Sequence, residues 1–204
     1  MTEYPIPETR VKYKDVFNLK NLYVMMHEAF IEDKWFGKDG PVSGNPGGQH
    51  SDVETLYLEK FDQKGLNAGG KEMWIYWRLL KKPEGRYSGY IRYKLNFDWH
   101  FVYMEKRQIA YQGKQISVNW GEMELSFNAS VETDYKKEWE KHWFLKHWQE
   151  IYERRIIDQE IERHKKLLYL DLYRITSMVK RYLDLRVFLP TPEPLYPKLF
   201  GMEG

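Results

Sequence analysis

Six cationic side chains lie between residues 78 and 94, where the only acid is Glu84. The whole chain has a formal net charge of only +2, so this segment holds a local excess of positive charge. Aromatic residues are interspersed with the cations. Single-stranded RNA is bound by this combination, because cations contact phosphates and rings stack on bases. The predicted nucleic-acid-binding residues are Arg78, Lys81, Lys82, Arg86, Tyr90, Arg92 and Lys94.

A long β-strand over residues 86–101 is expected to position these side chains. Its odd positions are mostly large and apolar, and this period of two is typical of a strand with one buried face. The even positions then form an outer surface with Tyr90, Arg92 and Lys94, beside Trp74, Tyr76 and Arg78 of the neighbouring strand. In an alternative interpretation, Trp74 and Tyr76 pack beneath helices and the lysines only increase solubility.

Further alternating segments predict the rest of a sheet, and a helix near the N-terminus follows the first of them. The expected strands are Thr9–Lys14, Val53–Phe61 and Glu72–Leu80. From Val16 the apolar residues recur every three or four positions, which predicts a helix. Asp15 or Asn18 is its expected cap, and Gly37 its expected stop.

The second half of the sheet is predicted to contain a hairpin and a β-bulge. Gln112-Gly113-Lys114 is a hairpin signal. The apolar residues lie at even positions before Gly121 and at odd positions after it, so a bulge at Gly121 would keep both halves facing the core.

A helical period begins at Asp134 and continues for about fifty residues. It predicts one very long helix, or two helices that meet near His164. The predicted fold class is therefore α+β: an antiparallel meander of about five or six strands, covered on one face by an N-terminal helix and long C-terminal helices. Residues 1–189 are expected to form a single domain, followed by a proline-rich extended arm over residues 190–204.

Four apolar residues of that arm lie among prolines: Leu195, Tyr196, Leu199 and Phe200. A proline-rich segment can bind a groove at low entropic cost, so these residues are candidates for partner binding or self-association. Docking of the arm onto its own domain is the alternative.

No pattern in the sequence predicts catalysis. The histidines lack the spacing of three or four that places two zinc ligands on one helix face, since His142 and His147 are five apart. The glycine-rich segment 37–52 lacks the Gly-Lys-Ser/Thr end of a phosphate loop. There is no Gly-x-Ser-x-Gly motif. We expect no cofactor and no metal, and we expect binding rather than catalysis. Two carboxylates from distant parts of the sequence could still meet in the fold and act as an acid–base pair, and this alternative stays open.

Composition limits the setting of the protein. The chain has no cysteine, which excludes disulfides and thiolate chemistry. Its first residues lack an apolar signal core, and no run of 18 apolar residues occurs. We therefore expect a cytoplasmic protein with no membrane partner.

Two resemblances follow from these features. Over Lys137–Glu162, KEWEKHWFLKHWQEIYERRIIDQEIE, the sequence resembles small archaeal proteins with aromatic-rich cores, and this likeness implies no function. The predicted order of strand, helix, meander and long helix also resembles the helix-grip plan of small-ligand and lipid-transfer domains.

The expected function is non-catalytic contact with RNA or a ribonucleoprotein, including a ribosome-associated role, through the basic, tyrosine-rich sheet face. A hydrophobic small-ligand carrier of helix-grip type is one alternative. A protein-interaction or assembly module that uses the long helix and the C-terminal arm is the other.

Overall fold

An antiparallel sheet of seven strands forms the centre of the described part of the chain. The structure is a computed structural model, and it describes residues 1–37, 53–61, 69–85, 87–111 and 113–185. The strands are β1 (Thr2–Pro5), β2 (Thr9–Phe17), β3 (Phe36–Gly37), β4 (Glu54–Phe61), β5 (Lys71–Lys81), β6 (Ile91–Tyr111) and β7 (Lys114–Thr133).

Strands β4 to β7 pair in sequence order, as a meander does, and β1 and β2 both pair with the far side of β7. The short β3 pairs with β5. The helices are α1 (Leu19–Glu32), α2 (Glu138–Lys141), α3 (Leu145–Ile151) and α4 (Asp158–Tyr182), with a π-helical turn at Tyr152–Ile156. The predicted α+β class with helices on one face is confirmed, with more strands than expected.

The inner face of the sheet is a layer of aromatic rings. Along β6 the odd positions from Ile91 to Phe101 are all buried, whereas the even positions are half-buried on the outer face. Helix α1 inserts Phe30 between the rings of Trp77 and Phe97, with ring centroids 5.9 and 5.7 Å away. Loss of such a ring leaves a cavity, so Phe30→Ala would cost about 3–5 kcal/mol.

Helix α1 begins and ends with local capping bonds. The Asn18 side chain accepts a hydrogen bond from the Asn21 N–H at 3.1 Å, so Asn18 rather than Asp15 is the cap. The helix ends at Glu32 because Lys34 takes a left-handed φ of 60° and the Trp35 N–H donates to the Phe30 carbonyl. The prediction that Gly37 stops the helix is wrong.

The bulge lies in β6, opposite Gly121, and not in β7. Tyr103 and Met104 together oppose Gly121, and Tyr103 has a left-handed φ of 53°. A Cβ at Gly121 would stand only 2.9 Å from the Tyr103 carbonyl oxygen. The register of β2 on β7 is unbroken, so Val118 and Trp120 lie on the outer face, opposite the core. The expectation that both halves of β7 face the core is therefore wrong.

The chain after Asp134 is interrupted earlier than expected. Breaks occur at residues 142–144 and at Ile157, where the Ile157 N–H donates to the Tyr152 carbonyl across a π-type turn. No break occurs near His164, which is buried inside α4 and lies 2.6 Å, through Nδ1, from the Tyr93 hydroxyl. Burial lowers the pKa of His164 and raises that of Tyr93 to about 12, so this hydrogen bond joins a neutral imidazole to a protonated phenol.

Several predictions fall outside the described residues. These are the loop at residues 38–52, Arg86, and the arm with Leu195, Tyr196, Leu199 and Phe200. Among the helices that are described, none has the length and apolar character needed to cross a bilayer.

Candidate binding surfaces on the sheet and helices

The predicted basic face is neutralised by carboxylates from other strands. Arg92 is only 14% exposed, and its Nη2 lies 2.5 Å from the carboxylate of Glu132, the residue opposite it on β7. Lys94 contacts Glu3 at 3.1 Å and Glu132 at 3.7 Å. The Arg92 guanidinium also lies over the Tyr135 ring. Because Arg92 and Lys94 are already paired with carboxylates, a phosphate group of RNA would have to displace those carboxylates.

The outer face keeps half-buried aromatic rings at the centre of the sheet. Trp74 stacks on His100 with centroids 5.3 Å apart, and Arg78 lies over Tyr76 at 5.2 Å. The Arg78 guanidinium is paired with Asp98 at 2.5 Å. The helices cover the opposite face, so the alternative in which these rings pack beneath helices is wrong.

The remaining predicted residues are scattered. Lys81 points to the helical side, where it contacts Asp171 of α4 at 2.7 Å. Lys82 is exposed beyond the end of β5. Tyr90 lies in the turn before β6, and its hydroxyl donates to Glu153. Of the predicted residues that the structure describes, Arg78, Arg92 and Lys94 are those that share the outer face of the sheet.

A buried carboxylate anchors the segment Glu138–Ile156, named here the connector, to the sheet. Glu153 lies on the π-helical turn and accepts four hydrogen bonds: from Thr133 at 2.6 Å, Tyr90 at 2.8 Å, Tyr4 at 3.1 Å and Gln149 at 3.1 Å. Burial disfavours its ionised form, but the hydrogen bonds outweigh burial and lower the pKa of Glu153. Burial next to this anion raises the pKa of Tyr4 to about 12.

Glu153 forms the floor of an open depression of about 560 Å³ between β1 and the connector. Three of its donors end on Oε1 and one, the Tyr4 hydroxyl, ends on Oε2. These donors come from β1, from the turn before β6, from β7 and from α3, so the carboxylate joins the connector to the sheet. We assign Glu153 a positioning role.

A second anchor is built from rings and a capping aspartate. The rings of Tyr90, Trp139 and Tyr152 contact one another with centroids 4.5–5.7 Å apart. Buried Asp134 accepts hydrogen bonds from the backbone N–H groups of Trp139 and Glu140 at 3.2 and 3.1 Å, which caps α2. The inner side of the connector is thus fixed to the end of the sheet.

The outer side of the connector exposes large apolar side chains. Trp143 is 77% exposed and Ile156 is 68% exposed, and about half of each of Phe144, Trp148 and Ile151 is accessible. We name these five residues the connector patch. Phe144, Trp148 and Ile151 are spaced by four and three residues and share one helix face. The Phe144 ring contacts the rings of Trp143 and Trp148 with centroids 5.8 and 6.1 Å apart.

Cations surround the connector patch. Between residues 135 and 156, six exposed cations accompany three exposed carboxylates. Three of the cations pair with those carboxylates, through Lys136–Glu138, Lys137–Glu140 and Arg154–Glu150. Among the described residues no carboxylate lies within ion-pair distance of the other three, which are Lys141, Lys146 and Arg155.

Helix α4 carries a second exposed apolar group. Leu167, Tyr169, Leu170 and Tyr173 lie on its solvent side and are 44–63% exposed. We name them the α4 patch. The opposite face of α4 is buried in the core through Leu168, Leu172, Ile175 and Val179.

Sequence reasoning missed the exposure of both patches. A spacing of three and four indicates a stripe but does not say whether the protein or solvent faces it. A usable signal was present in the sequence: Phe144, Trp148 and Ile151 form one apolar stripe at helical spacing, and Leu145 and Tyr152, seven residues apart, form a second. Two stripes on one short segment indicate that one of them is exposed.

Comparison of the chain with protein-family models, with curated proteins and with solved structures gives no match, so its function is argued from geometry alone.

Proposed function

We propose that this chain is a non-catalytic interaction module that binds a protein partner through the α4 patch. The observation that carries the proposal is that Leu167, Tyr169, Leu170 and Tyr173 are all exposed on one side of a 25-residue helix. Contiguous exposed apolar side chains are characteristic of interaction sites. Tyrosine is enriched at such sites because its ring buries a large area and its hydroxyl keeps a polar contact.

The α4 patch is held rigidly, which favours binding. The inner face of α4 is buried, Lys81 pairs with Asp171, and Arg174 pairs with Asp33 after α1. A surface that is already ordered loses little entropy when a partner binds. The fitting partner is an amphipathic helix whose apolar stripe lies along α4, since residues three and four apart on one helix pack into the grooves of another.

The test is a comparison of variants in partner capture and in self-association. Leu170→Ser with Tyr173→Ser removes the centre of the α4 patch, and Lys180→Ser with Arg181→Ser, two turns further along the same helix and also exposed, is the matched control. We expect a bound protein, or a concentration-dependent dimer in sedimentation, to be lost in the first variant and kept in the control. Equal behaviour of the two variants would reject the proposal.

RNA binding through the outer face is the second candidate, and the uncovered rings of Trp74, Tyr76 and His100 support it. The ion pairs of Arg78, Arg92 and Lys94 count against it, because RNA affinity depends on free cations and falls with salt. Retention on single-stranded RNA should then decrease with salt and with Trp74→Ala. Salt-independent behaviour, or an unchanged Trp74→Ala variant, would remove this candidate.

A carrier function has one observation in its favour. The buried indole Nε1 atoms of Trp35 and Trp99 have no hydrogen-bond partner among the described residues, and a ligand with an acceptor group would satisfy them. Against it, aromatic rings fill the space between the sheet and α1, where a carrier would need a cavity. Mass spectrometry of a denaturing extract of the purified protein tests for a retained small molecule.

A further inference from the structure

We propose that the connector patch binds an anionic lipid surface. Trp143, Phe144, Trp148, Ile151 and Ile156 would enter the boundary between headgroups and acyl chains, and the neighbouring cations would contact the headgroups. This surface is separate from the α4 patch and rests on different residues.

The side-chain chemistry of the connector matches a membrane interface. Tryptophan concentrates at the headgroup level because its ring is apolar and its N–H is polar. A helix that lies in the interface plane typically combines Trp, Phe or Leu on one face with Lys or Arg on the polar side. In α3 the apolar stripe of Phe144, Trp148 and Ile151 faces solvent, and Lys146 lies beside it.

The charge of the connector is complementary to an anionic surface. Lys141, Lys146 and Arg155 have no carboxylate within ion-pair distance among the described residues, unlike the cations of the sheet face. Each cation close to an anionic membrane contributes about a fivefold gain in binding. The two surfaces thus differ in charge. The cations on the outer face of the sheet are paired with carboxylates of the same chain, whereas these three cations of the connector are not.

Nucleic acid fits the connector less well than a lipid surface does. Ile151 and Ile156 have no aromatic ring and cannot stack on bases. The rings of Phe144 and its two aromatic neighbours are inclined to each other by 61° and 39°, so they form a wedge instead of a parallel platform. A wedge of mixed aromatic and aliphatic groups fits disordered acyl chains, which adapt to any shape.

The anchors on the inner side allow the connector to insert without unfolding. Glu153 accepts hydrogen bonds from Tyr4 on β1, from Tyr90 and from Thr133 on β7, so it joins the π-helical turn to both the edge and the centre of the sheet. The apolar stripe is therefore presented in a fixed orientation. The proposed contact is superficial, because the stripe belongs to a seven-residue helix whose inner side is fixed to the sheet. It revises the sequence-based expectation of no membrane partner.

The experiment is co-sedimentation of the full chain with vesicles of phosphatidylcholine alone and with vesicles that also contain phosphatidylserine. We expect binding only to the anionic vesicles, with a blue shift of tryptophan fluorescence. Trp143→Ser with Trp148→Ser should weaken binding by more than about tenfold, since both side chains leave the apolar phase. Lys141→Gln with Lys146→Gln should weaken it about fivefold for each cation removed.

The matched control is Tyr169→Ser with Tyr173→Ser, which removes two exposed rings from the α4 patch. It should bind vesicles like the wild type, and circular dichroism should show that all variants are folded. This control also separates the two proposals, because it removes the proposed protein contact and leaves the lipid contact. The lipid proposal is overturned if the folded wild-type chain ignores anionic vesicles, or if the tryptophan variant binds them equally. Binding of single-stranded RNA through Trp143 and Trp148 without vesicle binding would also overturn it.

Discussion

Replacement of Glu153 by glutamine tests whether a buried anion holds the connector to the sheet. Three of its four hydrogen bonds end on Oε1, from Thr133, Tyr90 and Gln149. Glutamine can keep an oxygen there, so the geometry survives and the charge is lost. The fourth bond must reverse, because the glutamine Nε2 in the place of Oε2 would donate to the Tyr4 hydroxyl instead of accepting from it.

The expected cost follows from these three bonds. A hydrogen bond to a charged acceptor contributes about 1 kcal/mol more than one to a neutral acceptor, so three bonds lose about 3 kcal/mol. Removal of the buried charge returns part of this loss. We expect Glu153→Gln to lower the free energy of unfolding by about 2 kcal/mol. Glu153→Leu removes the acceptor of all four bonds and leaves the buried Thr133 hydroxyl only the longer contact with the Thr2 carbonyl at 3.3 Å, so it should cost about 4 kcal/mol.

The assay is urea unfolding followed by circular dichroism at several pH values. The pKa of Glu153 is lowered in the folded state from the usual 4.5, so its contribution is fully present above pH 4.5 and is lost as the pH falls through the folded value. The difference between wild type and Glu153→Gln should shrink over that acidic range. Glu150→Gln is the control, because Glu150 lies on the same segment in an exposed pair with Arg154.

A Glu153→Gln variant as stable as Glu150→Gln at neutral pH would refute this reasoning. It would mean that the cost of burying the charge cancels the ionic part of the hydrogen bonds. A difference that stayed constant down to strongly acidic pH would also refute it, because the effect would then not come from ionisation.

Three further predictions test other parts of the fold. Gly121→Ala should destabilise by about 1–3 kcal/mol in urea unfolding, since its Cβ would meet the Tyr103 carbonyl, whereas Gly89→Ala meets nothing within 4 Å and should be neutral. The pKa of His164 is lowered from 6.5 in the folded state, so as the pH falls the unfolded state binds the proton first and the free energy of unfolding should decrease below pH 6.5. In the same assay, His164→Gln should remove this part of the pH dependence of stability. Asp134→Ala should lower the free energy of unfolding by about 2 kcal/mol, because two N–H groups of α2 lose their acceptor and a left-handed φ of 49° suits aspartate better than alanine. Asp134→Asn should recover most of this stability in the same assay.

The period of two along β5 and β6 was sufficient to predict the inner face of the sheet. Tyr93, Leu95 and Phe97 are buried as expected, because strand alternation depends only on neighbouring residues. The bulge is different. The apolar pattern of β7 changes at Gly121, but the extra residue is in β6, and only the pairing register shows which strand contains it.

The basic face illustrates a second limit of sequence reasoning. Counting charges between residues 78 and 94 finds one acid, yet Arg92 is opposite Glu132 and Lys94 reaches Glu3. These partners are 40 and 91 residues away along the chain. The net charge of a sequence window therefore says little about the electrostatic potential at a sheet surface. The carboxylates that pair with Arg92 and Lys94 belong to other strands.

The position of the bulge also sets a rule for how the hairpin of β6 and β7 can change in length. Distal to Lys106 and Asn119 these strands pair only with each other among the described residues, so that end is a two-stranded ribbon. Insertion or deletion of two residues in each arm would lengthen or shorten the ribbon and leave Arg107 over Trp120 at the proximal end. A change of a single residue in one arm would instead exchange the two surfaces of the ribbon. Homologous chains should therefore differ in this hairpin by even steps in each strand, while the residues around Tyr103 keep their number.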